Sequence, residues 1–111
     1  MRRDFTIQTF TPEGKDAKTA VITISGNLSL NNSEGIKKQL NTAIKKHDDI
    51  HLEIKNADEL DLSFLQILFS LIAYCHEENK KITHTAYLSQ EQKQLLEHAG
   101  FKTLINIAEK L

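Results

Sequence analysis

The stretch Asn56–Leu71, NADELDLSFLQILFSL, is the part of the sequence around which the rest of the chain is organised. Its first part, Asp58–Asp61, is acidic and predicts an exposed turn. From Leu62 onward the residues are almost all apolar, which predicts a buried helix. Asp61 is suited to the start of that helix because an aspartate side chain accepts hydrogen bonds from the free N–H groups of the first turn. Ser63 lies at the junction, where a charged modification can act as a switch.

A polar stripe runs along this predicted helix. At about 100° per residue, Ser63, Gln66, Ser70, Tyr74 and Glu77 fall on one side, and apolar residues cover nearly all the rest. Two interpretations remain open. Either the helix packs on a sheet between two neighbours, or an apolar margin beside the stripe stays exposed and binds another protein.

Ser63 also has two interpretations. A serine in a first turn commonly serves the free N–H groups with its hydroxyl, and it can alternatively be a site of regulation. A phosphate there would be favoured by the helix N-terminus and repelled by the neighbouring carboxylates, and it would oppose an apolar partner surface. The residues expected to contact such a partner surround Ser63: Asp61, Leu62, Phe64, Gln66, Ile67 and Ser70.

Four further segments are predicted to be strands, because apolar and polar residues alternate in them or β-branched residues are frequent. They are Phe5–Thr9, Ala20–Ser25, Ile50–Lys55 and Ile82–Tyr87. A turn with the only proline separates the first two, which predicts a hairpin.

Helix starts are predicted where a capping-box spacing occurs, at Asn31 with Glu34 and at Ser89 with Gln92. Phe101–Ile107 is expected to return to the core. Strands that alternate with helices predict a mainly parallel sheet. The fold class is therefore one α/β domain over residues 1–111, with a mixed, mostly parallel sheet and about three to four helices.

The composition argues against several classes of function. The chain has 111 residues, a formal net charge of -1 and one cysteine, Cys75, which disfavours a nucleic-acid footprint, a disulfide framework and a cysteine-rich zinc site. No apolar run reaches the roughly 18 residues of a membrane span, and a cytoplasmic protein is expected. His47-Asp48-Asp49-x-His51 is interpreted as a solvated helix end. We expect no enzyme activity, cofactor or metal, since the sequence shows neither a nucleophile–base pair nor a glycine-rich phosphate loop.

The order of these motifs resembles the STAS domain, shared by bacterial anti-sigma-factor antagonists and the cytosolic tails of sulfate transporters. Gly26-Asn27-Leu28-Ser29 corresponds to the Gly-Glu-Leu-Asp of that family, and Asp61–Leu65 to its Asp-Ser-Ser-Gly-Leu. Ile50–Asn56 is similar to its central strand, and Leu95–Phe101 to its late helix. The resemblance covers roughly residues 5 to 107.

The resemblance implies a non-enzymatic bacterial signalling domain. In anti-sigma-factor antagonists the second serine of the motif, here Ser63, is phosphorylated by a kinase that is also the anti-sigma factor, and only the unphosphorylated form binds it. Asp61 would shape the turn. Leu62 stands where the family has its first serine, and Phe64 where it has glycine. The alternative is a subunit of a transport, chemotaxis or two-component complex that binds its partner regardless of phosphorylation.

Overall fold

The structure is a computed structural model and describes residues 4–98. The expected return of Phe101–Ile107 to the core, and residues 99–101 of the late helix, lie outside this range. The elements in chain order are β1 (Phe5–Phe10), β2 (Thr19–Leu28), a short 3₁₀ turn (Leu30–Asn32), α1 (Ser33–Lys45), β3 (Asp49–Leu60), α2 (Leu62–Glu77), β4 (Lys81–Ala86) and α3 (Gln90–His98).

The four strands form one mixed sheet in the order β1-β2-β3-β4. β1 pairs with β2 in an antiparallel hairpin, whereas β2–β3 and β3–β4 are parallel. Each parallel pair is joined by a helix, because parallel strands need a long crossover connection. The predicted fold class is confirmed: a mixed sheet, and three α-helices within the described residues. Among those residues, no helix is both long and apolar enough to cross a membrane.

The core lies between one face of the sheet and helices α1 and α2. Alternate strand residues point into it, because successive side chains of a strand point to opposite faces. The helices contribute residues at helical spacing. The buried core residues include Ile22, Ile24, Ile50, Leu52 and Ile54 of the sheet, Ile36, Leu40 and Ile44 of α1, and Phe64, Leu65, Leu68, Leu71 and Cys75 of α2.

The acidic segment before α2 is a strand, so the prediction of a turn at Asp58–Asp61 is wrong. β3 continues to Leu60 alongside β2, but it contains one additional residue between the pairs Ile24–Ile54 and Gly26–Ala57 and another before the pair Asn27–Glu59. Such bulges bend a strand and re-aim its side chains. Asn56, in the first bulge, has a φ of 52°, a conformation that asparagine tolerates better than most residues.

Gly26 of β2 lies between Phe5 of β1 and Ala57 in the irregular part of β3, and this position requires a glycine. Its φ is 95°, and a Cβ built on it would lie 2.7 Å from the Asp4 carbonyl oxygen and 2.9 Å from the Phe5 Cα. The next amide, that of Asn27, donates to the same Asp4 carbonyl at 2.8 Å. Close approach of two backbones therefore explains why position 26 of β2 is a glycine.

Only one of the two predicted capping boxes forms. The Ser89 amide donates to the Gln92 side chain at 3.0 Å, and the Gln92 amide donates to the Ser89 hydroxyl at 3.1 Å, which confirms the start of α3. The prediction for Asn31 with Glu34 is wrong. A 3₁₀ turn moves the N-cap of α1 to Asn32, which makes no side-chain capping bond and instead donates to the Asn27 carbonyl at 2.9 Å.

Candidate functional site

Asp61 is the residue that joins β3 to α2. Its backbone is extended, with φ −132° and ψ −179°, and its amide donates to the Leu28 carbonyl at 3.3 Å, at the end of β2. Its carboxylate accepts from the Ser63 amide at 3.1 Å and from the Ser63 hydroxyl. The predicted cap is thus confirmed. Asp61 fixes both the backbone and the side chain of Ser63.

Leu30 is a site residue that sequence reasoning missed. The 3₁₀ turn brings its amide to the second carboxylate oxygen of Asp61, at 2.9 Å, so Asp61 joins the segment after β2 to the start of α2. The Leu30 side chain is 67% exposed, and the Leu62 side chain is 46% exposed. The only signal in the sequence is that Leu30 is an isolated apolar residue among polar neighbours.

A side-chain network beneath this site holds the ends of β2 and β3 together. Asn27 is buried and donates to the Glu59 carboxylate at 3.0 Å. The Ser29 hydroxyl donates to the Asn27 side-chain oxygen. These bonds give structural roles to the motif that corresponds to Gly-Glu-Leu-Asp, because they position the turn that carries Leu30.

The Asp61 carboxylate is held in its charged form. Burial by itself would raise its pKa. Hydrogen bonds from the Ser63 hydroxyl and from the amides of Leu30, Phe64 and Ser63 lower it, and the net pKa lies below the ordinary value of an aspartate. A phosphate on Ser63 would therefore be attached next to an ionised carboxylate, and the two groups would repel each other.

The predicted partner-contact residues are not all at the surface. Leu62, Gln66 and Ser70 are exposed, Asp61 and Ile67 are half-buried, and these five remain available for contact. Phe64 is only 1% exposed and packs in the core. The prediction that Phe64 contacts a partner is therefore wrong. Consecutive helix residues are rotated by about 100°, so Phe64 points toward the sheet although Ser63 does not.

The polar stripe of α2 faces a groove toward α1. Ser63, Gln66, Ser70 and Tyr74 line this groove, which has a volume of about 470 Å³, and Lys37 lines it from α1.

An apolar margin beside this stripe is exposed, and it includes Leu62, Phe69 and Ala73. One side of α2 packs on the sheet, as the first interpretation predicted. Beside the polar stripe, apolar residues remain exposed, as the second predicted, and whether they bind a protein stays a prediction.

The remaining candidate residues have structural surroundings. Both ring nitrogens of His51 contact threonine hydroxyls, those of Thr83 at 2.7 Å and Thr85 at 3.1 Å. Cys75 is buried, and burial raises the pKa of its thiol although the Lys80 ammonium opposes this. Within residues 4–98, no three His, Cys, Asp or Glu side chains are grouped so as to hold a metal ion.

The described residues form a small α/β domain with one mixed sheet. Residues 13–106 match the family model described as "Mlab, STAS domain". The chain therefore belongs to the STAS-domain family. Comparison of the sequence with curated proteins gives no match.

Two solved structures of SpoIIAA are similar to this chain. The Bacillus cell fate determinant SpoIIAA in its phosphorylated form aligns with a TM-score of 0.61 and 17% sequence identity, over 89% of this chain and 87% of that one. The anti-sigma factor antagonist SpoIIAA in its unphosphorylated form aligns with a TM-score of 0.66 and 17% identity, over 89% and 84%. At this identity the likeness establishes a shared fold.

Proposed function

We propose that this protein is a non-enzymatic, cytoplasmic bacterial signalling domain that binds a protein partner through the surface around Ser63. Phosphorylation of Ser63 lowers the affinity. The partner is a serine kinase of the anti-sigma-factor type or another signalling protein. The observation that carries the proposal is that Ser63 lies next to two exposed leucines. Leu62 precedes it in α2, and Leu30 lines the same groove.

This arrangement supports a switch on physical grounds. Exposed leucines gain free energy when a partner covers them, whereas a charged group beneath the same partner loses its hydration. A phosphate adds roughly -1.5 to -2 charges. Added to Ser63, it stands beside the ionised Asp61 and inside the apolar contact. The core is unaffected because Phe64 and Leu65, which follow Ser63, face the sheet.

The acceptor is tested by incubation with the cognate kinase and ATP, followed by mass spectrometry. We expect one phosphate, on Ser63. Phosphate on Ser70 or Ser33, with Ser63 unmodified, would contradict the assignment.

The charge mechanism is tested with substitutions of equal size. The partner is first captured with a photo-crosslinking residue at position 62, with position 45 as control, and its affinity is then measured by calorimetry. Ser63→Asp should weaken binding at least about tenfold, equivalent to about 1.4 kcal/mol. Ser63→Asn, similar in size but neutral, should retain binding within about threefold. Thr42→Asp places the same charge on exposed α1 and should change little.

A second function has a specific observation in its favour. The Ser63 hydroxyl is already engaged by a charged carboxylate, which disfavours a phosphate there, and apolar residues of α2 are exposed. The alternative is a subunit of a transport, chemotaxis or two-component complex that binds its partner independently of phosphorylation. Ser63→Asp and Ser63→Asn would then bind equally well, while Leu62→Ser would weaken both.

A further inference from the structure

A second surface depression lies next to the carboxyl end of β4, where β3 and β4 diverge. A crevice of about 770 Å³ is present there, and it shares no lining residue with the groove beside Ser63. We propose that this crevice binds a small organic anion, a flat ring that carries a phosphate or carboxylate group.

The backbone creates this crevice. Pairing between β3 and β4 ends at Ile54 and Ala86, whereas β3 continues along β2 as far as Leu60. The chain after β4 instead turns into α3. The Gln92 side chain bridges the gap with a bond of 3.0 Å to the Ala57 carbonyl. In open α/β sheets, ligands bind in crevices outside the carboxyl ends of the strands, and this crevice has that location.

The charges that line the crevice favour an anion. Lys55 of β3 and Lys93 of α3 line the crevice, and Glu53 is the only acidic residue among the described residues that line it. Glu53 lies 3.8 Å from Lys55, and both side chains remain partly exposed, at 27% and 47%. A pair of this kind is worth little in water, so an anionic ligand can compete for Lys55. No carboxylate within residues 4–98 pairs with Lys93.

An aromatic side chain favours a flat ring on the ligand. Tyr87 lines the crevice and is 47% exposed, and Leu88 and Ala57 add apolar surface next to it. An aromatic face gains energy from stacking with another ring in addition to the area that it buries. The two lysines and the tyrosine come from three different segments, and the fold brings them to one opening.

The experiment is a titration of ¹⁵N-labelled protein, followed by amide chemical shifts. Phenyl phosphate should cause saturable shifts in residues 53–57 and 86–93. Benzamide, flat but neutral, should bind more weakly, as should inorganic phosphate, which lacks the ring. Benzoate distinguishes a carboxylate from a phosphate as the preferred group. Absence of saturable shifts with both phenyl phosphate and benzoate, or equal binding of benzamide, would overturn the proposal.

Variants then assign the roles of the individual side chains. Lys93→Ala should weaken phenyl phosphate binding about fivefold, as expected for one exposed charge pair. Lys81→Ala is the matched control, since Lys81 is exposed at the opposite end of β4, and it should not change the affinity. Glu53→Gln should tighten binding. Tyr87→Ala should weaken phenyl phosphate but not inorganic phosphate. Equal effects of the two lysine variants would refute the anion site.

Discussion

The two halves of β3 have the same backbone direction but different construction. In Asp49–Ile54, every residue pairs one-to-one with β2 on one side and with β4 on the other, and alternate side chains are fully buried. In residues 55–60, pairing continues only with β2, two bulges interrupt the register, and most side chains are exposed. The first half is the centre of the sheet, and the second is an extension at its edge.

This difference separates the half of β3 that fills the core from the half that borders the two candidate sites. The regular half buries Ile50, Leu52 and Ile54 in the core. The bulged half contributes less to the core, but it positions Glu59 against Asn27 and delivers Asp61 to the start of α2. Because this half separates from β4, it also leaves open the crevice that we propose binds an organic anion. Both candidate sites therefore depend on the irregular half of one strand.

The largest expected effect is in the regular half. Leu52→Ala removes a fully buried side chain and should lower the free energy of unfolding by about 2 to 5 kcal/mol. Leu60→Ala, at the half-buried end of the bulged half, should cost less than about 1.5 kcal/mol. Urea unfolding of both variants measures the contrast. Equal costs would show that the two halves contribute equally to stability.

An intermediate effect is expected at the end of the bulged half. Asp61→Ala removes the cap of α2 and the bond to Leu30, and should cost about 1 to 2 kcal/mol of unfolding free energy. Asp58→Ala removes an exposed carboxylate of the same half and should stay within about 0.5 kcal/mol. If both variants unfold at the same urea concentration, the capping role of Asp61 is refuted.

The contribution of Asp61 should depend on pH. Its folded-state pKa is lowered, since the hydrogen bonds to its charged form outweigh burial. The charged form therefore stabilises the fold above the unfolded-state pKa of about 3.9. This contribution is lost as the pH falls through the folded-state value. The stability difference between the wild type and Asp61→Asn should accordingly shrink between pH 6 and pH 3 in urea unfolding, and a constant difference would contradict the lowered pKa.

The smallest effect concerns the contact of the bulged half with α3. Gln92→Ala removes its part of the capping box and the bond to the Ala57 carbonyl, and should cost about 1 kcal/mol. Asn31→Ala alters the residue where a capping box was expected but does not form, and should stay within about 0.5 kcal/mol. Circular dichroism during urea titration compares the two. A larger loss for Asn31→Ala would reverse the assignment of the caps.

Much of this fold is predictable from the sequence because its signals are periodic. Strand alternation in Ile50–Lys55 identified the buried face of the regular half, and the apolar run after Asp61 identified α2. The prediction of a turn from the acidic residues 58–61 was wrong, because β3 continues to Leu60. Polar residues signal a turn only when no neighbouring strand pairs with them, and here β2 supplies that pairing through two bulges. Gly26 and Asn56 accompany these bulges, but both residue types are equally common in turns and so do not distinguish the two.

The sequence by itself determined the order of strands and helices, the resemblance to the family, and the cap that Asp61 provides for α2. The elements and the cap depend on residues close together in the chain, and the resemblance depends on the order of short motifs along it. Tertiary structure decided the rest. It buried Phe64, exposed Leu30 beside Asp61, and gathered Lys55, Tyr87 and Lys93 at one opening. These features depend on how distant segments meet, and local periodicity carries no information about the gaps and contacts that form there.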